Sequence, residues 1–422
     1  MRKPALRILR AVPIAAAAAA VLLLCVTPRM AWATPDSATS SAAPTITGID
    51  VLQREGFRRL AGKRVGLLTN HTGKARDGSA TIDLLARSDR LKLIALFSPE
   101  HGIRGELDAK VPSSRDAATG LVIHSLYGDA RRPTDAMLAG LDTLVIDLQD
   151  IGARFYTYMT TMAYMMEAAA QHGLEVVVLD RPNPINGITV EGPGLQSDEL
   201  GFTAYRPMPI RHGMTLGELA RLFDGEQHDP ALRLGERLVV VPMEHWQRNF
   251  WFDSTGLRWV DPSPNMRSLV AASLYPGVAT IESTNVSVGR GTERPFEYVG
   301  APWIDGVRLA ARLNSAALPG VRAYPVRFTP RTSKFAGESC DGVALVVTDR
   351  DALQPVRLGL ELAAALHDQH RNEFKIEAMT GLFGREVVQK LRRGDTPQAI
   401  ADSWLDEAAR WRALRSRYLL YR

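Results

Sequence analysis

An acid followed by an imidazole, Glu100 and His101, stands directly after an apolar run from Leu91 to Phe97, within the stretch Ser98-Pro99-Glu100-His101-Gly102. Such a run reads as a buried strand, and in open α/β sheets ligands bind at the strands' carboxyl ends. A carboxyl group placed there can hold or deliver a proton. The same residues also suit a helix start, with Pro99 in the first turn and Glu100 favourable against the helix dipole. The neighbouring clusters decide between the two.

Those clusters are polar, aromatic and placed at strand ends or in loops. Asn70 follows the run Arg64 to Thr69. Asp147-Leu148-Gln149-Asp150 leaves another run, with Arg154-Phe155-Tyr156-Thr157-Tyr158 just behind it. Asp180-Arg181-Pro182-Asn183-Pro184 leaves the next, and Arg211-His212-Gly213 precedes a helix. Later come Ser263-Pro264-Asn265-Met266, Glu282-Ser283-Thr284-Asn285, and Gly289-Arg290-Gly291-Thr292 running to Arg294-Pro295-Phe296-Glu297. Arginine forks grip carboxylates, amides and carboxylates grip hydroxyls, and aromatic faces cover the apolar side of a ring. The set describes a site for a sugar carrying an anionic substituent, not a lipid pocket.

Breaking a glycosidic bond needs a proton for the leaving oxygen and stabilisation of positive charge at the anomeric carbon, commonly from two carboxyl groups. Glu100 is the candidate general acid. A donor working near neutral pH is helped by partial burial in a closed cleft. His101 beside it can orient the substrate or tune the proton. Asp150, Asp147 and Glu282 all qualify by position as the second carboxylate, and a substrate with a 2-acetamido group could instead supply its own carbonyl as nucleophile. The candidate binding residues are Asn70, Asp147, Arg154, Tyr156, Tyr158, Asp180, Arg211, His212, Asn265, Asn285 and Arg290. Plainer readings stand beside these: Asp150 and Arg154 can form a helix-start ion pair, and Asp180 can cap a turn through Pro182.

The elements that must position these groups alternate in type. Strands are expected over 64–69, 91–97, 121–126, 144–148, 175–180 and 238–243. Helices are expected over 81–87, 134–139, 156–172 and 215–225. Val, Ile and Leu runs spaced by helices imply a mainly parallel sheet covered on both faces, a Rossmann-like doubly wound α/β domain over 48–266. Residues 267–422 are expected to form a smaller α+β domain completing the cleft, with helices over 307–315 and 355–370 and strands over 322–328 and 343–348. A last amphipathic helix opens at Thr396-Pro397 and carries Trp404 and Trp411 as core residues.

A sheet of this kind invites a dinucleotide, but the first strand ends Thr69-Asn70-His71-Thr72-Gly73, without the glycines that admit a pyrophosphate. Walker A, H-E-x-x-H, G-x-S-x-G and S-x-x-K patterns are absent from the sequence. No cofactor and no metal are expected. The chain opens with Arg2, Lys3, Arg7 and Arg10, then an apolar run from Ala11 to Val26 and the small-residue site Ala31-Trp32-Ala33, the layout of a signal peptide cleaved after Ala33. Export, to a periplasm, follows as an expectation. Lipidation at Cys25 is disfavoured because Leu24 is not small.

Removal of 1–33 takes five Arg or Lys and no acid with it, which is the whole formal charge of +5. The mature chain is then neutral, and the attraction that draws basic proteins to nucleic acids or anionic membranes is missing. Cys340 is left alone, so no disulfide forms within the mature chain. A Ser, Ala, Thr and Pro stretch leads, as a flexible segment over 34–47, into the fold. Oligomeric state is not encoded in any of these features.

Taken in order, Gly66-Leu67-Leu68-Thr69-Asn70, Phe97 to Gly105, Asp147 to Tyr158, Leu179 to Pro184, Arg211 to Thr215, Ser263 to Met266 and Gly289 to Phe296 resemble the exo-β-N-acetylmuramidases of the NamZ type. The likeness runs from about Gly48 to the closing Tyr418-Leu419-Leu420-Tyr421. It implies a bacterial glycoside hydrolase that removes N-acetylmuramic acid from the non-reducing end of peptidoglycan fragments, with a Rossmann-like domain, a smaller carboxyl-terminal domain and the site in the cleft between. Glu100 matches the family's catalytic glutamate. Ser283 departs from the family, where glycine is usual, which leaves the placement of Glu282 open. The lactyl carboxylate of muramic acid calls for an arginine, and Arg154, Arg211 and Arg290 are the candidates. A non-catalytic cell-wall sugar-binding protein on the same scaffold is the alternative; a nucleotide-dependent oxidoreductase lacks its glycine fingerprint.

Overall fold

Near-continuous Val, Ile and Leu runs fold as the strands of a parallel sheet because each is buried on both faces. The strands are β1 (Arg64–Thr69), β2 (Lys92–Ser98), β3 (Ser114–Arg115), β4 (Val122–Ser125), β5 (Thr143–Asp147), β6 (Glu175–Leu179) and β7 (Leu238–Val241). They form one seven-stranded sheet in the order β3-β4-β2-β1-β5-β6-β7, parallel except where β3 pairs antiparallel with β4. The structure is a computed structural model that describes residues 43–103, 114–128 and 130–422. The expected signal peptide, most of the expected lead-in and the motif residues Arg104 and Gly105 lie outside the described residues.

Alternate side chains go to opposite faces. Leu67, Leu96, Val145 and Val177 pack in one core with Ile49, Leu52, Ile82 and Leu85. Leu68, Phe97, Ile146 and Val178 pack in the other with Met159 and Met162 of the helix Tyr158–Gln171. Each such buried side chain contributes about 1.5–3 kcal/mol, against ~1 kcal/mol or less for a typical exposed ion pair, so burial fixes the register. The chain builds β1, β2 and β4 outward on one side, then crosses back to lay β5, β6 and β7 on the other. The carboxyl ends of β1 and β5 therefore flank the topological switch point, where doubly wound sheets leave a crevice.

The chain's second sheet is antiparallel, ordered β8-β10-β9, from β8 (Tyr298–Ala301), β9 (Val321–Phe328) and β10 (Cys340–Val347). The fold is thus α/β with a smaller α+β portion, as its patterning implied. Two helices brace the smaller sheet to the site. Leu269–Glu282 crosses Pro355–Gln369 at Gly277 and Gly359, and a Cβ on Gly277 would stand 1.7 Å from the Pro355 carbonyl oxygen. The backbones meet there without side chains between them.

Several expectations are corrected. The 134–139 helix is a single turn, Asp135–Leu138. The last helix is two, Pro397–Asp402 and Leu405–Arg415, though Trp404 and Trp411 are buried as expected. The lead-in is not loose at its end: Ile46 bridges Glu244, and Thr47 caps the helix Gly48–Arg54. Pro99 and Glu100 start no helix; they form a turn closed by Gly102 N–H on Pro99 O at 3.1 Å. Among the described residues, no helix is long and apolar enough to cross a membrane.

Candidate active site

Strand β2 ends at buried Ser98, and the turn beyond it throws Glu100 into a cavity of about 200 Å³. His101 holds a left-handed backbone, φ 70°, a conformation that non-glycine residues adopt at a cost and usually at functional positions. Thr157 caps the helix Tyr158–Gln171, yet its hydroxyl makes no capping bond. It donates instead to Glu100 Oε2 at 2.6 Å. The carboxyl is thereby held at one oxygen, and Oε1 carries no hydrogen bond within the described protein.

The same cavity is lined by Glu282 and Arg290, which form an ion pair. Glu282 is the last residue of the helix Leu269–Glu282, and its backbone carbonyl accepts from Lys334 Nζ. Arg290 stands between two glycines with φ 79° and 82°. A Cβ on Gly291 would lie 2.2 Å from the Thr332 carbonyl oxygen, so the loop that presents Arg290 needs glycine there. Phe155, Tyr156, Tyr275 and Phe296 make the aromatic wall, with Tyr275 packed edge-on to Phe296 at 4.8 Å and to Phe155 at 5.4 Å between ring centres. Burial raises the phenols of Tyr156 and Tyr275 well above their ordinary range, so both stay neutral. Asn265, Ser263, Thr203 and Leu382 complete the lining.

The cavity thus gathers Glu100, His101, Tyr156, Asn265, Glu282 and Arg290 from the expected set. Tyr158 and Asn70 stand behind it: Asn70 Nδ2 donates to Tyr158 Oη at 2.9 Å, and that hydroxyl donates to Pro262 O at 2.6 Å, fixing the loop that carries Ser263 and Asn265. Asp150 is also behind the wall. Its Oδ2 accepts Gly152 N–H at 2.8 Å and lies 3.8 Å from His212 Nε2. Burial pushes the Asp150 pKa up to about 7 and pulls His212 down to about 3, so His212 is uncharged near pH 7 and the contact is not an ion pair.

Besides Asn70, Tyr158 and His212, five further expected binding residues do not line the cavity. Asp147 is spent on Arg181, which reaches both its oxygens at 2.5 and 2.9 Å. Asp180 accepts from Thr215, Gly217, Arg181 and Tyr421, anchoring the helix Leu216–Gly225 to the end of the chain. Arg211 is fully buried, bonded to Ile185 O and exchanging backbone bonds with Glu191. Arg154, equally buried, does not reach the cavity but donates to the carbonyl of Leu382, whose residue does, at 2.7 Å. Asn285 turns away, bonding Glu373 O and Lys375 N–H, both at 2.9 Å. In each case a partner inside the fold engages the group, which is why a strand-end or loop position alone did not bring it to the site; Arg154 Nε and Nη1 and Arg211 Nε are nevertheless buried without an acceptor among the described residues.

Sequence reasoning missed Tyr275, Thr203 and Leu382, and passed over the helix Leu269–Glu282 because Pro276 interrupts it. A signal was present: Tyr275 and Glu282 are seven residues apart, two helical turns, and share one face.

A carboxyl with one oxygen held and one open, facing a second acid over an aromatic wall, is equipment for cleaving a glycosidic bond, and the enzyme class is glycoside hydrolase. Models of the exo-β-N-acetylmuramidase NamZ match the chain over residues 65–270 for the N-terminal part and 273–421 for the C-terminal part. The chain belongs to that family. The peptidoglycan β-N-acetylmuramidase NamZ of Bacillus subtilis (strain 168) is 42% identical over 400 residues, 93% of this chain and 95% of that protein. A DUF1343 family protein from Bacteroides fragilis NCTC 9343 has the same fold at TM-score 0.84 and 34% identity, covering 90% of this chain and 99% of its own. A second one from that organism gives 0.74 and 30%, with coverage of 90% and 99%.

Proposed function

We propose that this protein is an exo-acting muramidase, with Glu100 as general acid, that releases N-acetylmuramic acid from the non-reducing end of peptidoglycan fragments. The observation that carries this reading is the open Oε1 of Glu100 in a half-open cavity, with the other carboxylate oxygen held in place by Thr157. Glu100 protonates the leaving oxygen; Glu282 faces the anomeric carbon as the second carboxylate, paired with Arg290, while Lys334 holds its backbone carbonyl. A cavity of about 200 Å³ has the scale of one amino sugar, which favours removal of terminal units over cleavage within a chain. Export behind the signal peptide, cleaved after Ala33, places this work in the cell envelope, in wall turnover and recycling.

Of the three arginines considered for the lactyl carboxylate, Arg290 is the one that lines the cavity. Arg290→Ala is expected to lower kcat/KM on muramyl glycosides by about tenfold more than on N-acetylglucosaminyl glycosides, the excess being the lost charge-assisted contact and the loss common to both its hold on Glu282. Equal loss on both would reject that role. The reading as a whole is tested by incubating the purified protein with a chromogenic muramyl glycoside and with Glu100→Gln as control. Release lost in the variant supports the enzyme; tight binding with no turnover in either form contradicts it.

A further inference from the structure

A second cavity, about 480 Å³, opens at the switch point of the large sheet, and the chemistry above leaves it unused. Its wall begins after β1 with Lys74 and Arg76, continues after β6 with Arg181, and closes with Phe252, Arg258 and Trp259. Arg181 is committed to Asp147, but the side chains of Lys74, Arg76 and Arg258 form no ion pair among the described residues, although the Arg76 backbone N–H donates to Asp50 Oδ1 at 2.9 Å. Three unpaired side-chain cations against one lining carboxylate, that of Asp77, leave the hollow net positive, and such a field attracts anions. Trp259 and Phe252 pack edge to face at 5.0 Å and give the hollow an aromatic side, as a saccharide ring requires.

The two cavities share a wall. The loop from Trp259 to Met266 lines the cationic hollow with Trp259 and Val260 and the acid cavity with Ser263 and Asn265. It is fixed in the middle, where the His71 ring meets Asp261 O at 2.6 Å and Tyr158 Oη meets Pro262 O. That loop is the boundary the two cavities have in common.

We propose that the cationic hollow binds the carboxylate of the next lactyl-bearing sugar along the glycan, two units beyond the one being released. The inference rests on the muramidase reading. Peptidoglycan alternates a lactyl-bearing with a lactyl-free amino sugar, so a fragment of four sugars offers a second carboxylate and a fragment of two does not. The hollow therefore selects chain length without touching the bond that breaks.

The test compares kcat/KM on the disaccharide and on the tetrasaccharide, each with muramic acid at its non-reducing end, for wild type and for the combined variant Lys74→Ala, Arg76→Ala, Arg258→Ala. All three residues are exposed, and thermal unfolding of the variant checks that it is folded. Wild type is expected to favour the tetrasaccharide by about tenfold, a preference that shrinks as salt is added. The variant should handle both substrates at the disaccharide's rate, and amidation of the second lactyl group should do the same to wild type. A tetrasaccharide preference that survives the variant, or a wild type with none, overturns the proposal while normal cleavage of a chromogenic muramyl glycoside leaves the muramidase reading intact. Failure of wild type on every muramyl substrate overturns that reading instead.

Discussion

Two acids at strand ends of the same sheet meet opposite fates. Glu100 leaves β2 and finds one hydroxyl, that of Thr157; Asp147 closes β5 and finds Arg181 and Thr81. The first is half-committed and faces a cavity. The second is fully committed and faces none. What separates chemistry from architecture here is not the position on the sheet but the number of partners the fold supplies.

Exchanging the acid for its amide at both places sharpens that contrast most. Glu100→Gln should lower turnover of muramyl substrates by about 10²–10⁴, the usual contribution of a general acid, with unfolding midpoint unchanged. Asp147→Asn removes the charge that balances Arg181 in a buried pair, at a cost of about 3–5 kcal/mol of stability, read by denaturant unfolding. If Asp147→Asn unfolded no more readily than wild type while losing activity, the division between the two acids would be wrong.

Asp150 extends the comparison to pH. Its folded pKa is raised from 3.8 to about 7 by burial, so between those values the folded state holds a proton that the unfolded chain has released. Stability therefore falls as pH climbs from about 4 to about 7. Asp150→Asn should flatten that slope; an unchanged slope in thermal unfolding across the window would assign it to other groups.

Gly277→Ala probes the brace behind Glu282. The added methyl meets the Pro355 backbone, and overpacking of that kind costs about 1–3 kcal/mol. Because the same helix ends in Glu282, the variant should also lose part of its activity on muramyl substrates. Wild-type stability and turnover together would show that the crossing tolerates separation.

The large sheet was legible because its strands are continuous Val, Ile and Leu runs, and Leu67, Val145 and Val177 are buried where those runs place them. Glu100 was legible because it stands directly after such a run. Tyr275 was not, since Pro276 masks a helix that tertiary packing against Pro355–Gln369 sustains. Nor were the fates of Asp180 and Arg211. Their partners, Tyr421 and Glu191, are supplied by distant or folded-back segments, and a local pattern carries no record of them. Asn285 shows the same limit, because its partners lie near residue 374 and draw it off the site.

The most direct measurement of the central claim is leaving-group dependence in Glu100→Ala. A muramyl disaccharide needs its departing oxygen protonated, whereas a 2,4-dinitrophenyl muramyl glycoside departs without help. If Glu100 is the proton donor, the variant loses most of its turnover on the disaccharide and keeps most of it on the activated glycoside. Equal losses on both substrates would contradict the account.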